Sequence, residues 1–225
     1  MTPLPIKPAL DRRSQRTRDA LRDALVDLIA ERGWDDITVQ DVCNQANIGR
    51  STFYSHYTGK DALLVGGFED LQAELQRQAR AKSALDGTQT GAAPRLGFVL
   101  GLIEHAHEQR KIFRGLIGRR SGYVVQQRFR DMVMRLVVNE LPADAPDGLP
   151  REAAARCLSA AFVELLSWWV EQANPMSSTA LEAQFIQLAQ AVWHAQVADP
   201  HTSPASATAT QTAVKRRESY KQTGL

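Results

Sequence analysis

Apolar positions recur at helical spacing from the first segment onward. Leu21, Ala24, Leu25, Leu28 and Ile29 fall at i, i+3, i+4, i+7 and i+8, one buried stripe of a helix expected from about Ser14 to Arg32. Gly33 supplies the left-handed residue that ends it, and Trp34 follows to pack back on the stripe. Thr38 caps a second, short helix, with Asp41 three residues on to answer as a shortened capping box; that helix ends near Ala46. A third runs from about Arg50 to Tyr57. Lys60 opens a fourth, long one through Leu63, Leu64, Phe68, Leu71 and Leu75 to Lys82.

Further helices are expected at Arg95–Gln109, Ile112–Ile117, Tyr123–Glu140, Arg151–Ala173 and Ser178–Ala198. Residues 83–94, with Gly87, Gly91 and Pro94, form a loop. So does Leu141–Pro150, with three prolines and a glycine. The fold class is all-α: a three-helix, helix-turn-helix head followed by a helical body. The boundaries read as a basic, disordered arm over 1–13, a head over 14–62, a ligand-binding and dimerising body over 63–198, and a disordered Ser/Thr/Ala/Gln tail over 199–225.

The segment 38–60 carries the most chemistry. Two short helices joined by a tight turn, the second starting with small polar residues, have the build that places a helix in the major groove with its N-terminal residues at the base edges. The net charge of the whole chain is only +2, but its distribution matters more. Residues 1–18 hold Lys7, Arg12, Arg13, Arg16 and Arg18 against Asp11, and the stretch from Ala46 to Lys60 holds Arg50 and Lys60 with no acid. A basic front on a near-neutral body steers a protein to DNA without indiscriminate adhesion. Arg50 has the fork to take guanine O6 and N7. Ser51 and Thr52 donate to base or phosphate. Tyr54 reaches a phosphate or a thymine methyl, His56 suits a phosphate, and Lys60 and Thr38, each at a helix start, pair with backbone phosphate. Phe53 and Tyr57, at i and i+4, form the inward face against Val42 and Leu63.

Residues about 14–64, with Thr-Phe-Tyr-x-His-Tyr over 52–57 and Lys-Asp-Ala-Leu-Leu over 60–64, resemble the N-terminal domain of TetR-family transcriptional repressors. The resemblance implies an all-helical homodimer that releases an operator when a small molecule binds the C-terminal body. Two positions depart from the family pattern. Asn47 stands where glycine is usual, and asparagine is the next most tolerant of the left-handed conformation. Gly49 stands at the N-cap where serine or threonine is common, at a cost of a few tenths of a kcal/mol.

Past residue 70 only the architecture is alike. Leu158, Phe162, Leu165 and Trp169 on one C-terminal helix, with Phe185, Leu188, Val192 and Trp193 on the other, make wide apolar stripes. They are expected to form a four-helix dimer interface, the alternative being plain core. An effector pocket is expected between the fourth helix and the middle helices, walled by Phe98, Leu102, Phe113, Met132, Leu136 and Trp168, with His105, Glu104 or Tyr123 as polar selectors. Glu104 and His107, at i and i+3, lack the second such pair that a carboxylate-bridged metal site needs, so neither metal nor cofactor is expected. Cys43 and Cys157 sit on apolar faces and read as reduced, buried thiols.

The Pro-rich N-terminus has no apolar stretch of a secretory leader, and no uninterrupted apolar run approaches the roughly 18 residues of a membrane span, which points to the cytoplasm. The function expected is a DNA-binding regulator, most simply a repressor released by a small molecule. A ligand-independent regulator or an activator with the same head stays open. So does a helical enzyme with a structural N-terminal domain, although residues 95–198 offer no convergent acids, bases or nucleophile.

Overall fold

The computed structural model describes residues 8–85, 94–110, 113–114, 122–143 and 149–194, and among them the regular structure is entirely helical. Eight helices follow in order: α1 Pro8–Arg32, α2 Val39–Gln45, α3 Arg50–His56, α4 Lys60–Leu85, α5 Phe98–Glu108, α6 Gly122–Glu140, α7 Arg151–Glu171 and α8 Ser178–Trp193. The expected short helix over 112–117 lies largely outside the described residues, as do positions 1–7 and 195–225 of the expected arm and tail.

The head forms by local rules. Leu21, Leu25, Leu28 and Ile29 are fully buried, and Gly33 takes φ +84° as its amide donates to the Ile29 carbonyl at 3.0 Å. Trp34 folds back into the core with Ile37. At Thr38 the capping box is complete: the hydroxyl accepts from the Asp41 amide, and the Asp41 carboxylate accepts from the Thr38 amide at 2.8 Å. The Thr38 hydroxyl, which also donates to the Asp41 carboxylate at 2.5 Å, and the Thr38 amide hold that carboxyl below the ordinary carboxylate range. Two helical starts differ from expectation. α1 begins at Pro8, not Ser14, because proline at a first helical position gives up an amide that had no partner; the supposed arm is helical from there. α5 begins at Phe98, not Arg95. Pro94 and a left-handed Leu96 (φ +44°) delay it, and the Glu140 carboxylate accepts the free Gly97 amide.

The body packs α4 against α5 and α6, α6 against α7, and α8 against both α5 and α7. Phe98, Phe129, Phe162, Phe185 and Trp169 are the large side chains at its centre, with Phe98 edge-on to Phe162 at 5.7 Å and Phe162 against Phe185 at 4.9 Å. The C-terminal carbonyls of α7, the negative end of its dipole, meet positive charge: Arg110 and Arg114 both donate to the Val170 oxygen, at 2.8 and 2.7 Å. α7 is long and apolar enough by composition to cross a bilayer. Half of its most apolar window is nevertheless buried inside the fold, which is the pattern of a core helix.

Cys43 is buried and its thiol is pushed up by desolvation, whereas Cys157 lies exposed on α7 and is no core residue. The apolar stripe of α7 is wider than the face its neighbours cover, and Cys157 falls on the uncovered flank.

Candidate nucleic-acid interface

α3 is a seven-residue helix, too short to hold itself together in water. One buried side chain anchors it. Phe53 is fully buried and packs on Tyr57 at 6.0 Å, within a core that includes Val42, Cys43 and Leu63. The turn before it is set by Asn47 at φ +52°, with the Asn47 amide on the Asn44 carbonyl at 3.2 Å and the Ile48 amide on the Cys43 carbonyl at 2.9 Å. Gly49 is the N-cap with no side chain to bond the first amides. The start of α3 therefore leaves those N–H groups without a side-chain acceptor, an arrangement suited to an anionic or other acceptor group from outside.

The outer face is polar and open. Arg50, Ser51, Thr52, Tyr54 and Ser55 are all exposed, and Tyr54 keeps half of its surface in solvent. The Arg50 guanidinium lies 5.8 Å from the centre of the Tyr54 ring, which narrows the arginine's range of positions without using its donors. His56 is half-buried at the end of the helix beside Tyr57. Thr38 is exposed, with its hydroxyl and amide occupied in the capping box.

Lys60 is placed differently from the rest. Its ammonium donates to the carbonyls of Trp34 at 2.8 Å and Ile37 at 2.9 Å, and it lies 4.4 Å from the centre of the Trp34 ring. Lys60 therefore ties the start of α4 to the turn between α1 and α2. Nothing in the spacing of the sequence separates this role from the phosphate contact expected of it.

The body sites differ more. Phe98, Leu102, Met132 and Leu136 are fully buried in the core, while Tyr123 and Trp168 point into solvent. Of the expected pocket residues, His105 and Phe113 line a cavity. That cavity is a groove of about 760 Å³ between α1, α4 and the end of α5. His105 sits edge-on to Phe113 at 5.6 Å, and burial holds its imidazole below its usual pKa, so it is neutral at pH 7. The apolar lining belongs to the stripes legible in the sequence, whereas the charged lining, among it Asp19, Arg22, Asp23, Asp27, Asp70 and Glu74, does not stand out there. The signal available was the i, i+4, i+8 run of Asp19, Asp23 and Asp27 beside the apolar stripe of α1.

The expected dimer face also divides. Leu158, Phe162, Trp169, Phe185 and Trp193 are buried within the subunit, so they form its core and no interface. Leu165 and Val192 are half-buried and Leu188 is exposed. With exposed Trp168 and Cys157 and half-buried Ala161, they define an uncovered apolar flank on α7 and α8.

Comparison with known proteins finds relatives of the head. Residues 21–65 match the family described as bacterial regulatory proteins, tetR family. That match covers the head, which is similar to the helix-turn-helix domain of TetR-family transcriptional regulators. Among its relatives, the uncharacterized HTH-type transcriptional regulator YxbF of Bacillus subtilis is 46% identical over 67 residues, 29% of this chain and 18% of that protein. The putative mycofactocin biosynthesis transcriptional regulator MftR of Mycobacterium tuberculosis is 32% identical over 73 residues, 32% of this chain and 37% of that one. The matched segments thus span well under half of the length of either relative. A TetR transcriptional regulator from Streptococcus agalactiae shares the architecture, with a TM-score of 0.56 and 28% identity over 80% of this chain and 97% of that one.

Proposed function

We propose that the chain is a cytoplasmic, homodimeric repressor that binds operator DNA through α3 and lets go when a small molecule occupies its body. The observation that carries this reading is the division of α3: Phe53 wholly inside, with Arg50, Ser51, Thr52 and Tyr54 exposed around an uncapped helix start. A bundle helix with no partner has no use for a fixed polar face of this kind, whereas a major-groove reader needs one. Tyr54 and His56 hold the register on phosphate, and Arg50 reads a base. The proposed division keeps the head over 14–62 and the body over 63–198, with α4 as the lever between them.

Two heads are needed, since one buries too little surface for useful specificity. The uncovered flank of α7 and α8, centred on Trp168 and Leu188, is the face through which two copies would join. An effector that favours one separation of the heads over another shifts the dimer off successive major grooves. The reading assigns the chain no catalytic step. It is tested by fluorescence anisotropy with duplex DNA from upstream of the chain's own gene against a scrambled duplex, at about 150 mM salt. Tight binding to the first alone, with two chains per duplex, is the expected result; equal weak binding to both would remove the basis for the reading.

A further inference from the structure

The groove between α1 and the α4–α5 pair joins the head to the body, because α1 belongs to one and α5 to the other. Its volume, about 760 Å³, is in the range of a small-molecule site. Leu25, Leu63, Leu64, Phe68 and Phe113 give it a buried apolar floor. Its walls are strongly acidic. Asp19, Asp23 and Asp27 come from α1, and Asp70 and Glu74 from α4, against only two guanidinium groups, Arg22 and Arg77.

These charges are unequally matched. Arg22 bonds Asp19 and lies 3.5 Å from Asp70, and Arg77 bonds Glu74. Among the described residues, Asp23 and Asp27 have no ion-pair partner, and both face the groove. With His105 neutral, the described lining residues carry a net charge of −3 around an aromatic and aliphatic floor. Asp23 and Asp27 stand at the exposed rim of the groove, where desolvation along the wall and the neighbouring Asp19 and Asp27 carboxylates push the Asp23 carboxyl up and a cation placed beside it would favour the charged form.

We propose that this groove binds an organic cation with an apolar body, the charge held by Asp23 and Asp27 and the apolar part laid on Phe68 and Phe113. Acidic walls attract the cation and exclude anions of the same size; the floor takes the hydrophobic surface, and the aromatic edges add to the attraction. The occupant touches α1 directly and sits next to the Arg22–Asp70 pair that joins α1 to α4. Occupancy therefore bears on the angle between head and body. That last link rests on the regulator reading above, whereas the binding does not.

The test uses two probes of equal shape and opposite charge, tetraphenylphosphonium and tetraphenylborate, titrated calorimetrically into the full chain. The phosphonium should bind and the borate should not. The double variant Asp23→Asn/Asp27→Asn should weaken the phosphonium about tenfold, and since both positions lie on the exposed edge of α1 its melting temperature should match the parent's. Equal binding of both probes, binding of neither, or binding unaffected by the double variant would overturn the proposal. DNA affinity of the same preparation is measured in parallel without probe. Retained DNA binding with no phosphonium binding refutes the groove and leaves the regulator reading standing. Phosphonium binding that depends on Asp23 and Asp27 in a chain that ignores DNA does the reverse.

Discussion

Replacing Lys60 by methionine separates a structural role from a DNA contact. Methionine keeps the apolar stem but removes the ammonium, and with it two hydrogen bonds to the Trp34 and Ile37 carbonyls and the approach to the Trp34 ring. A hydrogen bond from a charged donor contributes about 1.5–3 kcal/mol when well buried. Lys60 is only part-buried, so about 1 kcal/mol for each of the two bonds is the fitting figure, with about 0.5–1 kcal/mol from the ring contact. The Trp34 carbonyl keeps one partner, the Ile37 amide at 3.3 Å, which limits the loss. The expected destabilisation is about 2–3 kcal/mol. Urea denaturation at one fixed protein concentration, followed by the fluorescence of the tryptophans, reads it as a lowered midpoint with unchanged slope. A midpoint identical to the parent's, together with a large loss of DNA affinity, would refute the structural role and leave Lys60 as a phosphate contact alone.

Three further outcomes are expected. Tyr54→Ala should leave the melting temperature within the effect of about 0.5 kcal/mol typical of a surface change, yet weaken operator binding about tenfold by anisotropy, since the ring is half exposed, with Arg50 beside it and only an edge-on contact to Phe53 within the core. Glu140 is raised above its ordinary pKa by burial, in spite of the hydrogen bonds it accepts from the Gly97 and Phe98 amides. The folded state then holds its proton to higher pH than the unfolded chain, so this residue's contribution falls as pH rises from the ordinary glutamate pKa through the raised one. Glu140→Gln should flatten that part of a stability-against-pH curve. If two copies join through the flank of α7 and α8 as proposed, Trp168→Glu should give a monomer by light scattering where the parent gives a dimer, with the same helical content by circular dichroism.

The head was legible because its signals are local. Gly33, the Thr38–Asp41 pair, Asn47 and Gly49 each fix a backbone conformation through neighbours in the sequence, and each stands in the structure where that chemistry puts it. The body was legible only as helices. A stripe as wide as that of α7 says that apolar surface is covered, but not by what. Leu158, Phe162 and Trp169 are covered from within the subunit, and Cys157 and Trp168 on the other flank are not.

The groove is not legible in the sequence for a related reason. Its acids lie on two helices far apart in sequence, and each helix alone reads as an ordinary solvated face. Lys60 shows the limit from another side, since a lysine at a helix start is equally suited to a phosphate and to the free carbonyls of an adjacent turn.

The central claim, that α3 reads DNA as one of a symmetric pair, is tested most directly by selecting duplexes from a random pool with the purified full chain and sequencing what it retains. The account predicts an enriched, nearly palindromic sequence whose half-sites lie about one helical turn, or a multiple of it, apart. That enrichment should vanish with Arg50→Ala and Tyr54→Ala together. A retained pool with no sequence preference, or one unchanged by the double substitution, would contradict it.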